Sequence, residues 1–160
     1  MQERKIKLYR TSIYYGNLIT SFSATYFGSI VCLLAFTLGF FVRWAIGGAP
    51  WLRVPALIPV IAFIDGGVWA INAYIYWSLM RKNGVQPSPV RFVIAVVSMI
   101  LVHLFGWLFV YACTLNPGPA AIAYITFAFS TWYPTAIAFI IIGALIGEPM
   151  YRSRLAARPT

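Results

Sequence analysis

Residues 90–115 read VRFVIAVVSMILVHLFGWLFVYACTL, and this stretch decides the fold class. Arg91, at its start, is its only Lys, Arg, Asp or Glu residue, and no proline interrupts it. A helix needs about 20 apolar residues to cross the roughly 30 Å hydrocarbon core of a bilayer. The stretch is long enough for such a crossing, and we therefore predict that it forms a transmembrane helix.

Apolar runs of similar length lie on both sides of this stretch. The connectors between the runs are short and contain glycine and proline, which favour turns over continued helix. We therefore predict an all-α polytopic membrane protein, a four-helix transmembrane bundle that forms a single domain over residues 1–160. The four predicted spans cover approximately residues 18–42, 54–80, 90–115 and 120–146.

Two prolines mark irregular points near the end of the chain. Pro134 lies inside the fourth run, where it removes a backbone hydrogen bond and is expected to kink the helix. The dipeptide Glu148–Pro149 is expected to end that helix, and a short basic tail follows it.

The composition agrees with a lipid environment. The chain is 61% hydrophobic and 9% charged, whereas an ordinary soluble domain has about 25% charged residues. The net charge of +9 does not indicate a nucleic-acid partner, because the basic residues lie in the gaps between apolar runs. We predict the lipid bilayer as a partner, together with other membrane subunits or further copies of the chain.

The basic residues also predict an orientation. If the chain crosses the membrane four times, ten of its twelve Lys and Arg residues lie on the side of the two termini. Only Arg43 and Arg53 lie on the other side. The positive-inside rule then predicts cytoplasmic N and C termini. The compact loops favour a bacterial inner, or plasma, membrane.

One acidic residue and the single histidine lie deep inside predicted spans, Asp65 in the second and His103 in the third. A charge at the bilayer centre costs at least about 2.5–3.5 kcal/mol, so such residues normally face the bundle interior. Both lie near the midplane, and we expect them to face each other. Asn72, on the same helical face as Asp65, and Tyr133 on the fourth span complete this candidate polar site. It either locks the bundle or handles a proton, ion or substrate.

Small residues recur at intervals of three or four, a spacing that lets helices approach closely in lipid. Packing is the favoured interpretation of these positions: Ser21, Thr25, Gly28, Gly66, Ala70, Gly143 and Gly147. The two cysteines, Cys32 and Cys113, are interpreted as packing residues too, because no CxxC or Cys/His cluster exists.

The chemistry of an enzyme is missing. One histidine and one acid inside the spans cannot supply a nucleophile, a base and an orienting group. No metal or cofactor is predicted. The leading hypothesis is a non-enzymatic inner-membrane subunit or accessory protein of a larger assembly, such as a secretion, conjugation, respiratory or transport complex. The alternative is a small homo-oligomeric proton-coupled transporter or channel that uses Asp65 and His103.

Overall fold

The computed structural model describes residues 15–47, 55–81, 88–110 and 118–157. Across these ranges every regular element is a helix, and the prediction of an all-α fold is confirmed. A short 3-10 turn, Pro55–Leu57, precedes the third helix. The helices are α1 (residues 15–26), α2 (Ser29–Gly47), α3 (Ile58–Met80), α4 (Pro89–Val110), α5 (Pro119–Thr131) and α6 (Tyr133–Ala156).

Among the residues that the structure describes, three helices are long and apolar enough to cross a membrane. They are α3, the Pro89–Gly106 part of α4, and α6. The apolar parts of α2 and α5, Ser29–Val42 and Pro119–Thr131, are shorter. The predicted third span continues to residue 115, but residues 111–117 lie outside the described ranges.

The first predicted span, residues 18–42, is not one helix. It is divided by a turn at Phe27 and Gly28, and Gly28 has a φ of +91°. That backbone conformation cannot continue a right-handed helix, and glycine adopts it at little cost because it has no Cβ. The prediction of a single helix here was wrong, because Gly28 and its polar neighbours, such as Thr25, were interpreted as packing positions within one helix rather than as a turn.

The ring contacts along α1 show that it runs parallel to α6. The ring centroids of Tyr15 and Phe139 lie 6.0 Å apart near the start of α1. Those of Tyr26 and Tyr151 lie 6.3 Å apart near its end. Residue numbers therefore rise together along the two helices.

By contrast, α2 runs antiparallel to α3. Gly28, just before α2, lies against the Trp77 ring near the end of α3. Further along α2, the Phe36 ring lies 6.0 Å from the ring of Trp69. Helices α1 and α2 are thus the two arms of a hairpin whose tip is Gly28.

Two levels of contact define the directions of α4 and α6. The His103 ring lies 5.3 Å from Trp69 and 5.9 Å from Tyr133, between centroids. The other level is formed by Tyr76, Phe92 and Glu148. Helix α4 is therefore antiparallel to α3, and α6 is parallel to it. We call the end that contains Gly28, Arg81 and Glu148 the Gly28 end.

The fourth predicted span is interrupted at Trp132, where α5 ends and α6 begins. Pro134 lies in the first turn of α6, so the expected irregularity occurs at this proline. The expected end at Glu148–Pro149 was wrong, since α6 continues through Pro149 to Ala156. Glu148, directly before the proline, is hydrogen-bonded to Tyr76 and Arg81 and to Arg152 one turn later in α6, as described below.

The hairpin also changes the orientation argument. Cytoplasmic placement of the N terminus assumed that residues 18–42 cross the membrane once. Because α1 approaches the Gly28 end from the opposite end, that count no longer places residues 1–14, which lie outside the described ranges. The predicted placement of the C terminus does not depend on residues 18–42 and stays a prediction. Four arginines belong to the Gly28 end: Arg81, Arg91, Arg152 and Arg154.

The core and the surface are both apolar. A cluster of buried side chains, including Trp69, Tyr76, Met99 and Ile140, joins α3, α4 and α6. Large apolar side chains are exposed on all six helices, among them Ile19, Ile30, Phe63, Phe105, Ile122 and Leu145. Exposed apolar surface of this extent is typical of a lipid-facing or partner-facing surface.

Candidate functional site

The C-terminal end of α1 is capped by side chains of another helix. The last carbonyls of a helix have no partner within it. The Trp77 indole N–H donates to the carbonyl of Ala24 at 3.0 Å. The Arg81 Nη2 donates to the carbonyl of Thr25 at 2.6 Å. The end of α3 therefore satisfies two carbonyls that the turn at Gly28 leaves without helical partners.

Aromatic rings surround the guanidinium of Arg81. Its central carbon lies 3.8 Å from the Tyr151 ring, 4.3 Å from the Trp77 ring and 5.3 Å from the Tyr76 ring. Only 12% of the side chain is exposed. Its Nε and Nη1 atoms are buried and make no hydrogen bond within the described residues. The faces of the rings attract the cation there, which partly offsets the loss of hydration.

Glu148 binds the same guanidinium from α6. Its Oε2 accepts hydrogen bonds from Arg81 Nη2 at 3.2 Å and from the Tyr76 hydroxyl at 2.7 Å. Its Oε1 accepts from Arg152 Nε at 2.9 Å. Glu148 is only 5% exposed, and a buried carboxylate is tolerated when it is paired and hydrogen-bonded in this way. We call these four residues the Glu148 network.

Sequence reasoning missed this network. Glu148 was interpreted as a residue at the end of a helix, where a charge costs little, yet it lies inside α6 and is buried. The Glu148–Arg152 spacing of four residues was a usable signal, because it brings two side chains together on a helix. That signal requires a helix through Pro149, and the proline argued against one.

The structure places the predicted polar residues at different depths in the packing. His103 is 1% exposed, and its ring stacks between Trp69 and Tyr133. Asp65 is half-buried on α3, one helical turn before Trp69. On α3, the described ring contact of His103 is therefore with Trp69, which lies one helical turn from Asp65. The expected direct approach of Asp65 to His103 stays a prediction.

Asn72 is fully buried. It is 0% exposed, and neither its Oδ1 nor its Nδ2 has a hydrogen-bond partner within the described residues. It lies between Trp69 and Tyr76 on the buried face of α3, one turn from each. A buried amide without partners costs free energy, and ordered water often satisfies such a group.

Tyr133 links α6 to α4. Its hydroxyl donates to the carbonyl of Ile100 at 3.3 Å, while its ring stacks on His103. The structure thus brings Tyr133 and His103 together, and Trp69 joins them as a residue that the sequence did not single out. Asn72 lies on the same buried face of α3 as Trp69.

Four of the predicted packing residues meet where α1 crosses α6. A Cβ added to Gly143 would lie 2.6 Å from the Leu18 carbonyl and 2.9 Å from the Cβ of Ser21. One added to Gly147 would meet the hydroxyl of Thr25. The Ser21 hydroxyl also donates to the carbonyl of Ile140 at 2.6 Å. Glycine at both positions is what lets the two helices approach this closely.

The other predicted packing residues belong to the α2–α3 pair. A Cβ added to Gly66 would meet the Thr37 hydroxyl and would lie 2.8 Å from the Leu33 carbonyl. Ala70 is half-buried one turn further along α3. Gly28 forms the turn of the hairpin, and a Cβ added there would lie 3.5 Å from the Trp77 ring of α3.

Within the described residues, no group of three or more His, Cys, Asp or Glu side chains could hold a metal ion. Cys32 is a free, buried thiol, and Cys113 lies outside the described ranges. The Glu148 network balances charge and joins α1, α3 and α6. No family model, no curated protein and no solved structure matches the chain.

Proposed function

We propose that the protein is a multi-pass integral membrane protein of a bacterial inner membrane, with the Gly28 end facing the cytoplasm. The three long apolar helices and the apolar side chains exposed on all six helices support residence in a bilayer. The arginines at the Gly28 end support the orientation, since cytoplasmic loops carry an excess of Lys and Arg.

Within the membrane, we propose a role as a non-enzymatic subunit or accessory protein of a larger assembly. Secretion, conjugation, respiratory and transport complexes are the candidate hosts. The observation that carries this proposal is the Glu148 network. Its buried polar atoms join α1, α3 and α6 to one another, which favours a rigid unit over a catalytic site. The apolar exterior is then left for lipid and for other subunits.

Gentle detergent extraction of tagged protein from its native membrane tests this role. A native-gel mass above that of any small homo-oligomer, with a defined set of co-purifying membrane proteins, is the expected result. A homo-oligomer without other proteins would contradict the subunit role. Release of the protein by salt or alkali without detergent would contradict membrane residence itself.

The second candidate function is a small homo-oligomeric proton-coupled transporter or channel. Asn72 favours it, because a fully buried amide without hydrogen-bond partners suits an internal site that water or a substrate occupies. In this mechanism Asp65 binds either a proton or a cationic substrate, releasing its proton to water when the substrate binds, and His103 and Asn72 line the path.

Uptake of ethidium into proteoliposomes, driven by a pH gradient, tests the second candidate. Transport predicts uptake above that of empty liposomes, and its loss in Asp65→Asn. Ser98→Ala, which removes an exposed hydroxyl bonded to its own helix, serves as the matched control and should transport normally. Wild-type uptake equal to that of empty liposomes would contradict this candidate.

A further inference from the structure

The last turns of α6 extend beyond the apolar part of the bundle. Tyr133, at the start of α6, lies level with His103 in the middle of the bundle, and Glu148 lies level with the end of α3. Residues 152–157 are all exposed, and they include Arg152 and Arg154. Because Arg152 and Arg154 follow Glu148 in α6, they lie beyond the end of α3, at the level of the headgroup region in the leaflet at the Gly28 end.

Both arginines are held in position by neighbouring side chains. Glu148 accepts a hydrogen bond from the Nε of Arg152, while 51% of the Arg152 side chain is exposed. The guanidinium of Arg154 lies 5.6 Å from the centre of the Tyr26 ring. Side chains that are already oriented lose less conformational freedom when they bind a ligand.

The local charge favours an anion. Glu148 pairs with both Arg81 and Arg152, so one carboxylate faces two guanidinium groups, and Arg154 adds a further positive charge at the same end of α6. Exposed apolar side chains lie beside the two arginines, namely Phe27, Met150 and Leu155. Guanidinium groups beside an apolar surface match a ligand that has a phosphate at one end and acyl chains at the other.

We propose that Arg152 and Arg154 form a binding rim for the headgroup phosphates of anionic phospholipids in the leaflet at the Gly28 end. The proposal rests on the proposed membrane residence, but not on the subunit or transporter role. It assigns a ligand class to the end of α6 and would attach α1 and α6, through Tyr26, to the lipid surface.

The test measures lipid retained by the purified protein in neutral detergent, by native mass spectrometry, with phosphatidylglycerol and phosphatidylcholine added in equal amounts. We expect wild type to prefer phosphatidylglycerol, and each arginine replaced by glutamine to lower the preference about fivefold. Arg154→Gln is the cleaner variant, because Arg152 also belongs to the Glu148 network. Raised salt should weaken the preference as well.

Arg91→Gln is the matched control, since Arg91 belongs to the same end of the bundle but to α4. It should change the preference less than twofold. Equal losses in Arg91→Gln and Arg154→Gln would overturn the proposal in favour of general charge attraction, as would a wild type without preference. Displacement of phosphatidylglycerol by millimolar inorganic phosphate would show that the arginines bind free phosphate rather than a lipid headgroup, and would overturn the proposal. A protein that needs no detergent for extraction would instead refute membrane residence.

Discussion

The Gly28 end and the middle of the bundle place polar groups in apolar surroundings in opposite ways. At the Gly28 end, Glu148 accepts three hydrogen bonds, and Arg81 is bound by a carboxylate, a carbonyl and three rings. In the middle, Asn72 is equally buried but its amide has no hydrogen-bond partner within the described residues. The first arrangement is what a structural lock requires. The second leaves hydrogen-bonding capacity for water or a ligand.

The largest expected effect comes from removing the carboxylate at the Gly28 end. Glu148→Leu leaves Arg81 buried without its counter-ion, and breaking such a pair typically costs about 3–5 kcal/mol. We expect a loss of this size in the free energy of unfolding, measured by titration with sodium dodecyl sulfate in mixed micelles. Arg154→Gln, at an exposed arginine outside the network, should change it by less than about 0.5 kcal/mol. Equal losses of stability in Glu148→Leu and Arg154→Gln would contradict the structural role of the Glu148 network.

The next effect tests the contact between α1 and α6. In Gly147→Ala the new methyl group meets the Thr25 hydroxyl, and overpacking of this kind costs about 1–3 kcal/mol. Gly39→Ala is the matched control, because a Cβ at Gly39 meets nothing within 4 Å. The same unfolding titration should show Gly39→Ala unchanged or more stable, by up to about 1 kcal/mol. Destabilisation of both variants alike would argue against close approach at Gly147.

Substitution of Asn72 tests the middle of the bundle, where removal of the polar group is expected to raise stability rather than lower it. Asn72→Leu replaces the amide with an apolar group of similar shape, and we expect the protein to gain about 1–2 kcal/mol of stability. Asn72→Ala, which removes the amide but opens a cavity, should lose stability instead. A loss of stability in Asn72→Leu would indicate that water or a ligand satisfies the amide, which would favour the transporter candidate.

The smallest effect concerns a single hydrogen bond of the cap. Trp77→Phe keeps a ring near Arg81 but removes the indole donor to the carbonyl of Ala24. A cost of about 0.5–1.5 kcal/mol is expected in the unfolding titration, as for one ordinary hydrogen bond. Trp132→Phe, at the α5–α6 junction, provides a comparison of the same side-chain change away from the cap. No change in Trp77→Phe would mean that the capping bond contributes nothing.

Length and hydropathy were sufficient to predict the helices that carry the bundle. The predicted second span ends at the residue where α3 ends, Met80, because apolar length and flanking charge both change there. The turn at Gly28 could not be predicted in this way. Gly28 and the polar residues before it also fit a stripe of packing residues, and the donors that satisfy the carbonyls before the turn, Trp77 and Arg81, are more than 50 residues away in the chain.

The residues of the candidate site were likewise predictable only where local spacing determines their contacts. Spacing alone predicted Gly143 and Gly147 as close-packing positions, because small residues four apart share one face of a helix. Glu148 was misjudged because its burial depends on Arg81 and Tyr76, which come from another helix. In the sequence, Pro149 indicated the end of a helix, and this indication was given more weight than the four-residue spacing between Glu148 and Arg152. In the structure α6 continues through Pro149, and Glu148 is bonded to α3 and to Arg152.

The hairpin at Gly28 is tested most directly by paired cysteines in a Cys32→Ser, Cys113→Ser background. Parallel α1 and α6 predict crosslinks by a short bis-thiol reagent in Tyr15→Cys with Phe139→Cys and in Tyr26→Cys with Tyr151→Cys. The exchanged pairs, Tyr15→Cys with Tyr151→Cys and Tyr26→Cys with Phe139→Cys, lie about 15 Å or more apart along the helix axes and should not crosslink. Crosslinking of the exchanged pairs instead would mean that residues 18–42 cross the bundle as one helix, and would contradict the account.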